Sequence, residues 1–208
     1  MKAIVELKNA TKVVTNGFNE ERVILDKVNL TIYQGDFITI LGGNGAGKST
    51  LFNVIAGTLP LTSGSVHILG DDVTNWPAEK RAKYLARVFQ APKMGTSPRM
   101  TVAENLLIAK YRGEGRGLVP RKLSQQIEEF AQLLPRVGNG LEKHLETPAG
   151  LLSGGQRQAL SLLMASLKQP ELLLLDEHTA ALDPKTSQSL MQLTDELIAT
   201  KGMTALMV

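Results

Sequence analysis

The feature that most constrains this chain is a glycine-rich turn between a short apolar run and a helical pattern. Residues 36–49 read DFITILGGNGAGKS, and the spacing G-x-x-x-x-G-K-S is matched by Gly42, Gly47, Lys48 and Ser49. Glycines allow backbone N–H groups to converge on phosphate oxygens. The lysine adds a mobile charge, the serine hydroxyl suits Mg²⁺, and the start of a helix favours an anion. The sequence therefore predicts a strand, a phosphate-binding loop and a helix, in that order.

A short glycine turn beside a lysine is the ordinary alternative for such a motif. Here the flanking sequence argues against it, because Phe37 to Leu41 reads as a buried strand and Thr50 to Ala56 as the start of a helix. We expect the whole segment to bind nucleotide phosphates, and we call it the phosphate loop: Gly42, Gly43, Asn44, Gly45, Ala46, Gly47, Lys48, Ser49 and Thr50.

A second motif is a continuous apolar run that ends in two carboxylates. Leu172 to Leu175 has the pattern of a strand buried in a parallel sheet, and Asp176 and Glu177 follow it directly. The segment resembles a Walker B motif, in which the aspartate at the strand end holds the metal, here through water. Glu177 could polarise a water for in-line attack on the terminal phosphate. Two solvated loop acids are the alternative, which the upstream phosphate loop makes the weaker interpretation.

The third motif is the run Leu-Ser-Gly-Gly-Gln at residues 152–156. Ser153 suits a helix N-cap, and Gly154 and Gly155 leave backbone amides bare at the start of a helix rich in Leu, Met and Ala. A second anion-binding site is thereby predicted. A capped helix and nothing more is the alternative. Three motifs in this order resemble the ATP-binding cassette (ABC) ATPases, and the resemblance extends over nearly the whole chain.

The sequence is similar to the nucleotide-binding subunit of an ABC transporter of the prokaryotic importer type. The resemblance implies an α/β P-loop NTPase of the ABC ATPase fold, with a parallel core sheet, an N-terminal antiparallel β layer and an inserted helical subdomain. We expect one domain over residues 1–208. Within it, residues 1–90 and 170–208 would form the RecA-like core with the β layer, and residues 91–169 the helical subdomain.

The resemblance also implies roles for individual residues. Gln90, in the run VFQ, matches the glutamine loop and would act with Lys48 and Glu177 in ATP hydrolysis. Asp183 matches the D-loop and would link two sites across a dimer. The implied cofactors are ATP and Mg²⁺, with the metal held by Ser49, Gln90 and Asp176. The signature of one subunit would close over the nucleotide of its partner, through Ser153, Gly154, Gly155 and Gln156.

The sequence departs from the family pattern at its histidines. His178 precedes Thr179, where the commonest pattern has proline, and we interpret it as a stray loop residue rather than a catalytic one. The family's switch histidine is expected just past Val208, and neither His67 nor His144 occupies a matching position. We therefore expect the C-terminal part of the fold to be absent, and ATP hydrolysis by this chain to be slow.

The residue that stacks on adenine is less well defined. The position matching the family's aromatic falls near Val14, which has no ring. Phe18 is the nearest aromatic side chain and would reach the base if residues 15–21 fold back. A loop phenylalanine exposed to solvent is an equal alternative.

Composition limits the kinds of site the chain can contain and its relation to the membrane. The chain has no cysteine, which excludes a disulfide framework and thiol-ligated metals. No apolar stretch approaches the roughly 18 to 20 residues that a membrane span needs, and the start MKAIVELKN has a strand pattern rather than that of a signal peptide. We expect a peripheral protein at the cytoplasmic face of the cell membrane. Its partners would be multi-span permease subunits, a second copy or a paralogous ATPase, and an extracytoplasmic solute-binding protein.

Charge is concentrated in one stretch. Residues 93–122 contain seven basic and two acidic residues, which suggests either a solvated face or a contact near anionic headgroups. Nucleic acid is not expected, because few aromatics lie among these charges. The alternative function is that of a cytosolic ABC-type ATPase that acts in assembly or on ribosomes. The runs VFQAPKMGTSP and DEHTAALDPKTS resemble bacterial uptake systems, some of which are thought to carry amino acids, but the sequence does not identify a solute.

Overall fold

The computed structural model describes residues 2–15, 20–115, 123–137 and 139–208. Phe18 lies outside the described residues, so its contact with a base stays a prediction. The strands of the described chain are β1 (Ala3–Thr15), β2 (Glu21–Tyr33), β3 (Phe37–Thr39), β4 (Ser63–Ile68), β5 (Asp71–Asp72), β6 (Leu85–Val88), β7 (Leu172–Leu175) and β8 (Ala205–Met207).

Helices lie between these strands, and most of them fall between β6 and β7. The α-helices are α1 (Lys48–Ala56), α2 (Ala78–Arg81), α3 (Pro92–Gly95), α4 (Val102–Lys110), α5 (Ile127–Leu133), α6 (Gly154–Ser166) and α7 (Pro184–Lys201). Short 3₁₀ segments occur at Leu123–Gln125, Leu134–Val137, Leu141–His144 and Ala149–Leu151. None of the described helices combines the length and the apolar character that crossing a membrane requires.

The described chain divides into two compact units. Unit 1 comprises Met1–Ala86, Glu171–Asp176 and Met203–Val208, and unit 2 comprises Arg87–Pro170 and Glu177–Gly202. The phosphate loop belongs to unit 1 and the signature run to unit 2. Each unit has buried packing of its own.

The first sheet of unit 1 is antiparallel, with strand order β2-β1-β4-β5. Its long hairpin pairs Ala3 with Tyr33 and Thr15 with Glu21, with register shifts between these ends. The buried side chains of β1 are Ile4, Val5, Leu7 and Ala10, and the last two residues of the strand are exposed. The predicted N-terminal antiparallel layer is therefore confirmed.

The second sheet has strand order β3-β8-β7-β6, and β8 pairs in parallel with both β3 and β7. All four leucines of β7 are fully buried, as a continuous apolar run in a parallel sheet predicts. Thr39 and Leu175 are both paired with Met207, on opposite sides of β8. With strands about 4.8 Å apart, the ends of β3 and β7 lie roughly 10 Å from each other at the same sheet edge. The phosphate loop and Asp176 follow these two ends.

Side chains from both sheets and α1 form the apolar core of unit 1. Its buried members include Ile4, Leu7, Ile32, Phe52, Ile55, Leu174 and Leu206. Burying one such side chain contributes about 1.5–3 kcal/mol relative to leaving it exposed. The helix that begins at the phosphate loop is therefore held in place through Leu51, Phe52, Val54 and Ile55.

Helix α6 is the central element of unit 2. Of its 13 residues, the buried ones include polar Arg157, Gln158, Ser161 and Ser166 as well as apolar leucines and alanines. A helix that is buried nearly all round is surrounded by other elements. Here α3, α4 and α7 pack against it.

The strand predicted over Phe37 to Leu41 is shorter than expected and not buried, because β3 ends at Thr39 and both Phe37 and Leu41 are exposed. The apolar spacing of residues 77–85 and 123–134 also predicts two helices, and the structure corrects both. The helix predicted over Pro77 to Leu85 is confined to Ala78–Arg81, and Leu85 instead begins β6. The reason is tertiary, because the Tyr84 carbonyl accepts from the N–H of Glu171 at 2.8 Å, next to β7. The helix predicted over Leu123 to Leu134 is divided into a 3₁₀ turn and α5.

Candidate active site

The phosphate loop adopts backbone conformations that favour glycine. Gly45 and Gly47 have φ angles of +81° and +87°, in the left-handed region. At Gly47 a Cβ atom would also lie 2.9 Å from the carbonyl oxygen of Ile24. No larger residue fits there without displacing β2, so this glycine is fixed by packing as well as by dihedral angle.

Lys48 lies folded into the phosphate loop. Its Nζ donates to the carbonyl oxygens of Gly42 at 2.7 Å and Gly43 at 3.1 Å. An ammonium has three donors, so these bonds orient the charge and leave one donor for a ligand. Helix α1 begins at Lys48, and Gly47 provides no side-chain cap for its first N–H groups. The loop therefore presents a lysine charge and a helix N-terminus together, which suits phosphate.

Asp176 follows β7 and is buried. It belongs to the same unit as Ser49, whose side chain is exposed at the start of α1. Carboxylate and hydroxyl oxygens are donors that Mg²⁺ prefers, and Mg²⁺ usually takes only one or two protein ligands beside water and phosphate. Within the described ranges no group of three or more His, Asp or Glu residues could hold a metal ion. The residues present therefore fit a Mg²⁺ that shares its coordination with nucleotide and water.

Gln90 and Glu177 meet in unit 2, although 87 positions separate them. The Gln90 Nε2 donates to the Glu177 Oε2 at 2.8 Å. Glu177 has a φ of +42°, which few residues other than glycine adopt. Such backbone strain persists where the surrounding structure maintains it. Two residues predicted to act together in hydrolysis are thus in direct contact.

The signature run forms the predicted cap of α6. Ser153 Oγ accepts from the N–H of Gln156 at 3.2 Å, and Gln156 Oε1 accepts from the N–H of Ser153 at 3.1 Å. This reciprocal pair is a capping box. Gln156 also donates to the carbonyl of Asn139 at 3.0 Å. The predicted N-cap at Ser153 is confirmed, and Gln156 proves to connect two segments of unit 2.

The two signature glycines differ in a way that the sequence did not reveal. A Cβ at Gly154 would meet Leu182 at an ordinary 3.8 Å, whereas one at Gly155 would lie 2.4 Å from Cγ2 of Thr186. Gly155 is therefore required for the close approach of α6 and α7. The sequence alone gave no indication that Thr186 packs against Gly155.

Asp183 forms the N-cap of α7. Its Oδ1 accepts from the N–H of Thr186 at 3.1 Å, and Pro184 follows in the first turn. The hydrogen bonds from Thr186 hold the pKa of the Asp183 carboxyl below its usual range. An ionised carboxylate at a helix N-terminus is also favoured by the helix dipole.

His178 is not the stray loop residue that the sequence suggested. Its side chain is only 2% exposed, and Nε2 lies 3.1 Å from Oγ1 of Thr194 in α7. Burial lowers the pKa of the imidazole to about 4. The ring is therefore neutral at physiological pH and packed into unit 2.

Two further polar residues of α6 contact the segment that includes Gln90. Gln158 Nε2 donates to the carbonyl of Phe89 at 2.9 Å, and Arg157 Nε donates to Thr96 Oγ1 at 2.6 Å. Sequence reasoning ended the signature at Gln156 and missed both residues. The available signal was polar side chains following directly on a cap, in a helix otherwise rich in apolar residues.

Comparison with known proteins agrees with this geometry. A family model for ABC transporters matches residues 25–180. The chain is 42% identical to the tyrosine transport ATP-binding protein of Clostridioides difficile over 99% of this chain and 81% of that protein. It is 37% identical to the spermidine/putrescine import ATP-binding protein PotA of Haemophilus ducreyi, over 100% of this chain and 51% of that protein.

The fold also matches a solved cassette. The dimeric structure of the ATP-binding cassette MJ0796, in a post-hydrolysis state bound to ADP and Pi, aligns with a TM-score of 0.80 and 29% identity, covering 99% of this chain and 87% of that one. Together with the family model and the phosphate loop, this likeness establishes the fold and the activity. The chain belongs to the ABC transporter family and is one of its ATP-binding subunits, an ATPase homologous to those of importers.

Proposed function

We propose that this chain hydrolyses ATP with Glu177 as the residue that polarises the attacking water and Gln90 as its partner. The observation that carries the proposal is the 2.8 Å hydrogen bond from Gln90 Nε2 to Glu177 Oε2. A carboxylate held by a neutral donor is positioned to accept a proton from water. In phosphoryl transfer, positioning and electrostatic stabilisation supply most of the catalysis.

In this proposal the phosphate loop binds the nucleotide. Gly42 to Thr50 surround the phosphates, and Lys48 directs its remaining donor to the terminal phosphate. Charge-assisted hydrogen bonds of this kind are about twice as strong as neutral ones. The arrangement of Lys48 across the carbonyls of Gly42 and Gly43 supports this role, because it holds the charge inside the loop.

Magnesium is the second proposed cofactor. Ser49, Gln90 and Asp176 would hold it, with Asp176 acting through water. When bound, Mg²⁺ would neutralise charge on the phosphate oxygens. The chain's own contribution is a hydroxyl oxygen, an amide oxygen and a carboxylate, which match the oxygen preference of this ion.

We also propose a head-to-tail dimer in which each nucleotide lies between two copies. Ser153, Gly154, Gly155 and Gln156 of one subunit would cover the phosphates bound by the phosphate loop of the other. Asp183 would connect the two sites. The dimeric MJ0796 cassette bound to ADP and Pi supports this arrangement.

The wider setting is proposed from the relatives. We assign residues 1–90 and 170–208 to nucleotide binding and residues 91–169 to a helical subdomain. The basic residues of 93–122 would dock on multi-span permease subunits at the cytoplasmic face of the membrane. A solute-binding protein outside the membrane would complete an importer, and the second ATPase would be another copy or a paralogue.

The solute proposed is a small organic compound of the amino acid class. The tyrosine transport protein of Clostridioides difficile favours it, because that relative matches over nearly the whole chain. A cytosolic non-transport ATPase of the same family is the alternative. Co-purification with a multi-span membrane protein from detergent-solubilised membranes supports the transporter, and recovery only with ribosomes or assembly complexes contradicts it.

The catalytic proposal is tested by Glu177→Gln. The variant should bind ATP normally yet lose hydrolysis by roughly 10² to 10⁴ fold, the range for loss of a positioned general base. Because hydrolysis no longer separates the subunits, it should also stay dimeric at saturating MgATP. Single-turnover phosphate release and light scattering measure the two effects. Wild-type turnover in this variant would remove Glu177 from its proposed role.

A further inference from the structure

We propose that His178 is a positioning residue for ATP hydrolysis, through a hydrogen bond to Thr194 that fixes the turn carrying Glu177. The inference rests on the proposed role of Glu177. It concerns the residue at which this sequence departs from the proline of the commonest family pattern. Proline restricts the chain through its ring and has no donor. His178 restricts it through a side-chain contact instead.

The hydrogen bond has a defined direction. Thr194 Oγ1 donates its single proton to the carbonyl of Leu190 at 2.8 Å, one helical turn earlier in α7. The hydroxyl can therefore only accept from the imidazole, so the Nε2–H of His178 donates to it at 3.1 Å. Both side chains are buried, at 2% and 0% exposed. A buried donor and acceptor that satisfy one another are costly to separate.

The same turn is fixed to α7 at a second point. The Ser187 hydroxyl donates to the carbonyl of Thr179 at 3.0 Å. Ser187 and Thr194 are seven positions apart, which places both on one face of the helix. Residues 178 and 179 are thus held at two points of α7 that lie about two helical turns apart.

This double attachment explains how Glu177 keeps an uncommon backbone. Its φ of +42° is unfavourable for a side chain with a Cβ, and its carbonyl also accepts from the N–H of Ala180 at 3.0 Å within the turn. Because His178 is the next residue, its ring fixes the peptide that follows this strained position. The backbone of Glu177 in turn determines where its carboxylate meets Gln90.

Four variants separate positioning from general stability. Thr194→Val removes the acceptor with little change in shape, and Thr194→Ser is its matched control, because serine keeps the hydroxyl. His178→Leu removes the donor, and His178→Gln retains an N–H at similar reach. We expect the valine and leucine variants to lose roughly 10² fold in kcat, the effect of about 1 Å of misplacement. KM and the Kd for ATP should stay within about twofold, and the serine and glutamine variants should recover most of the rate.

The measurements are single-turnover phosphate release, titration with a fluorescent ATP analogue and thermal melting, all on the full chain. Wild-type kcat in folded Thr194→Val would overturn the proposal, and this variant decides the matter if His178→Leu does not fold. Parallel loss of kcat, ATP affinity and melting temperature would overturn it too, since a merely structural role moves all three.

Measuring Glu177→Gln in the same assays distinguishes failure of the proposed catalytic role of Glu177 from failure of the positioning role of His178. If that variant hydrolyses ATP at the wild-type rate, the proposed function fails. If it is inactive while Thr194→Val and His178→Leu are not, only the positioning role of His178 fails. In the Glu177→Gln background Thr194→Val should cause no further loss of rate, because no carboxylate remains to be positioned.

Discussion

The two units hold their predicted functional residues in different ways. In unit 1 the phosphate loop is one contiguous segment, shaped by glycine dihedrals and by a lysine bound to its own loop carbonyls. In unit 2 the predicted catalytic and signature residues come from distant segments, and side-chain hydrogen bonds hold them together. We therefore expect changes in unit 1 to affect nucleotide binding, and changes in unit 2 to affect hydrolysis and dimer formation with binding retained.

The largest expected effect on ATP affinity is that of Lys48→Ala. The change removes the charge in the phosphate loop, and hydrogen bonds to charged groups contribute about 1.5–3 kcal/mol, or roughly tenfold to a hundredfold in Kd. We expect weakening at the upper end or beyond, in a titration with a fluorescent nucleotide. Lys93→Ala, an exposed lysine of unit 2, is the matched control. Equal affinity in both variants would contradict the assignment of the phosphate loop.

Arg81 provides a test of how the C-terminal end of α1, the helix that begins at the phosphate loop, is stabilised. Its guanidinium is buried and donates to the carbonyls of Val54 at 2.8 Å and Ile55 at 2.9 Å, at the end of α1. It also donates to those of Thr74 and Trp76. Burial lowers the pKa of Arg81, yet the group stays charged and complements the C-terminal end of the helix dipole.

Arg81→Met should lower the free energy of unfolding by about 3 kcal/mol, since it removes a charged donor from four carbonyls and leaves that of Ile55 buried without it. Lys80→Met is the control on the same helix, because Lys80 is exposed and its ammonium lies 3.6 Å from the centre of the Trp76 ring. Losing that contact should cost only about 0.5–1 kcal/mol. Urea denaturation measures both. Similar losses in the two variants would mean that the buried carbonyls are satisfied in another way.

A smaller effect than that of Arg81→Met is predicted for Gly155→Ala, which sharpens the comparison within unit 2. The added methyl would overlap Thr186, and overpacking of this kind costs about 1–3 kcal/mol. Gly154→Ala should cost much less, because its Cβ has ordinary space. Adding Thr186→Ser removes Cγ2 and should restore most of the melting temperature. The ATP affinity of the monomer, measured at protein concentrations too low for dimer formation, should be unchanged throughout, and a drop in that affinity would contradict the separation of the two units' roles.

Sequence reasoning performed best where local rules decide the structure. The continuous leucine run became a fully buried parallel strand, and Ser153 became the N-cap of α6. It failed where a tertiary partner overrode the local pattern. Tyr84 and Leu85 fit a helical apolar spacing, but the Tyr84 carbonyl is bonded to Glu171 and Leu85 begins strand β6 beside β7. His178 looked like a loop residue because its partner Thr194 lies 16 positions away.

By itself the sequence determined the phosphate loop, the strand that precedes Asp176, the signature cap and the family. These features depend on residues close together in the chain, where glycine dihedrals, helix capping and apolar runs act locally. Only the tertiary structure decided that Gln90 contacts Glu177, that a side chain at position 155 would overlap Thr186, and that His178 is buried. Those contacts join segments far apart in sequence, and packing and hydrogen-bond satisfaction between such segments leave no periodic signal in either one.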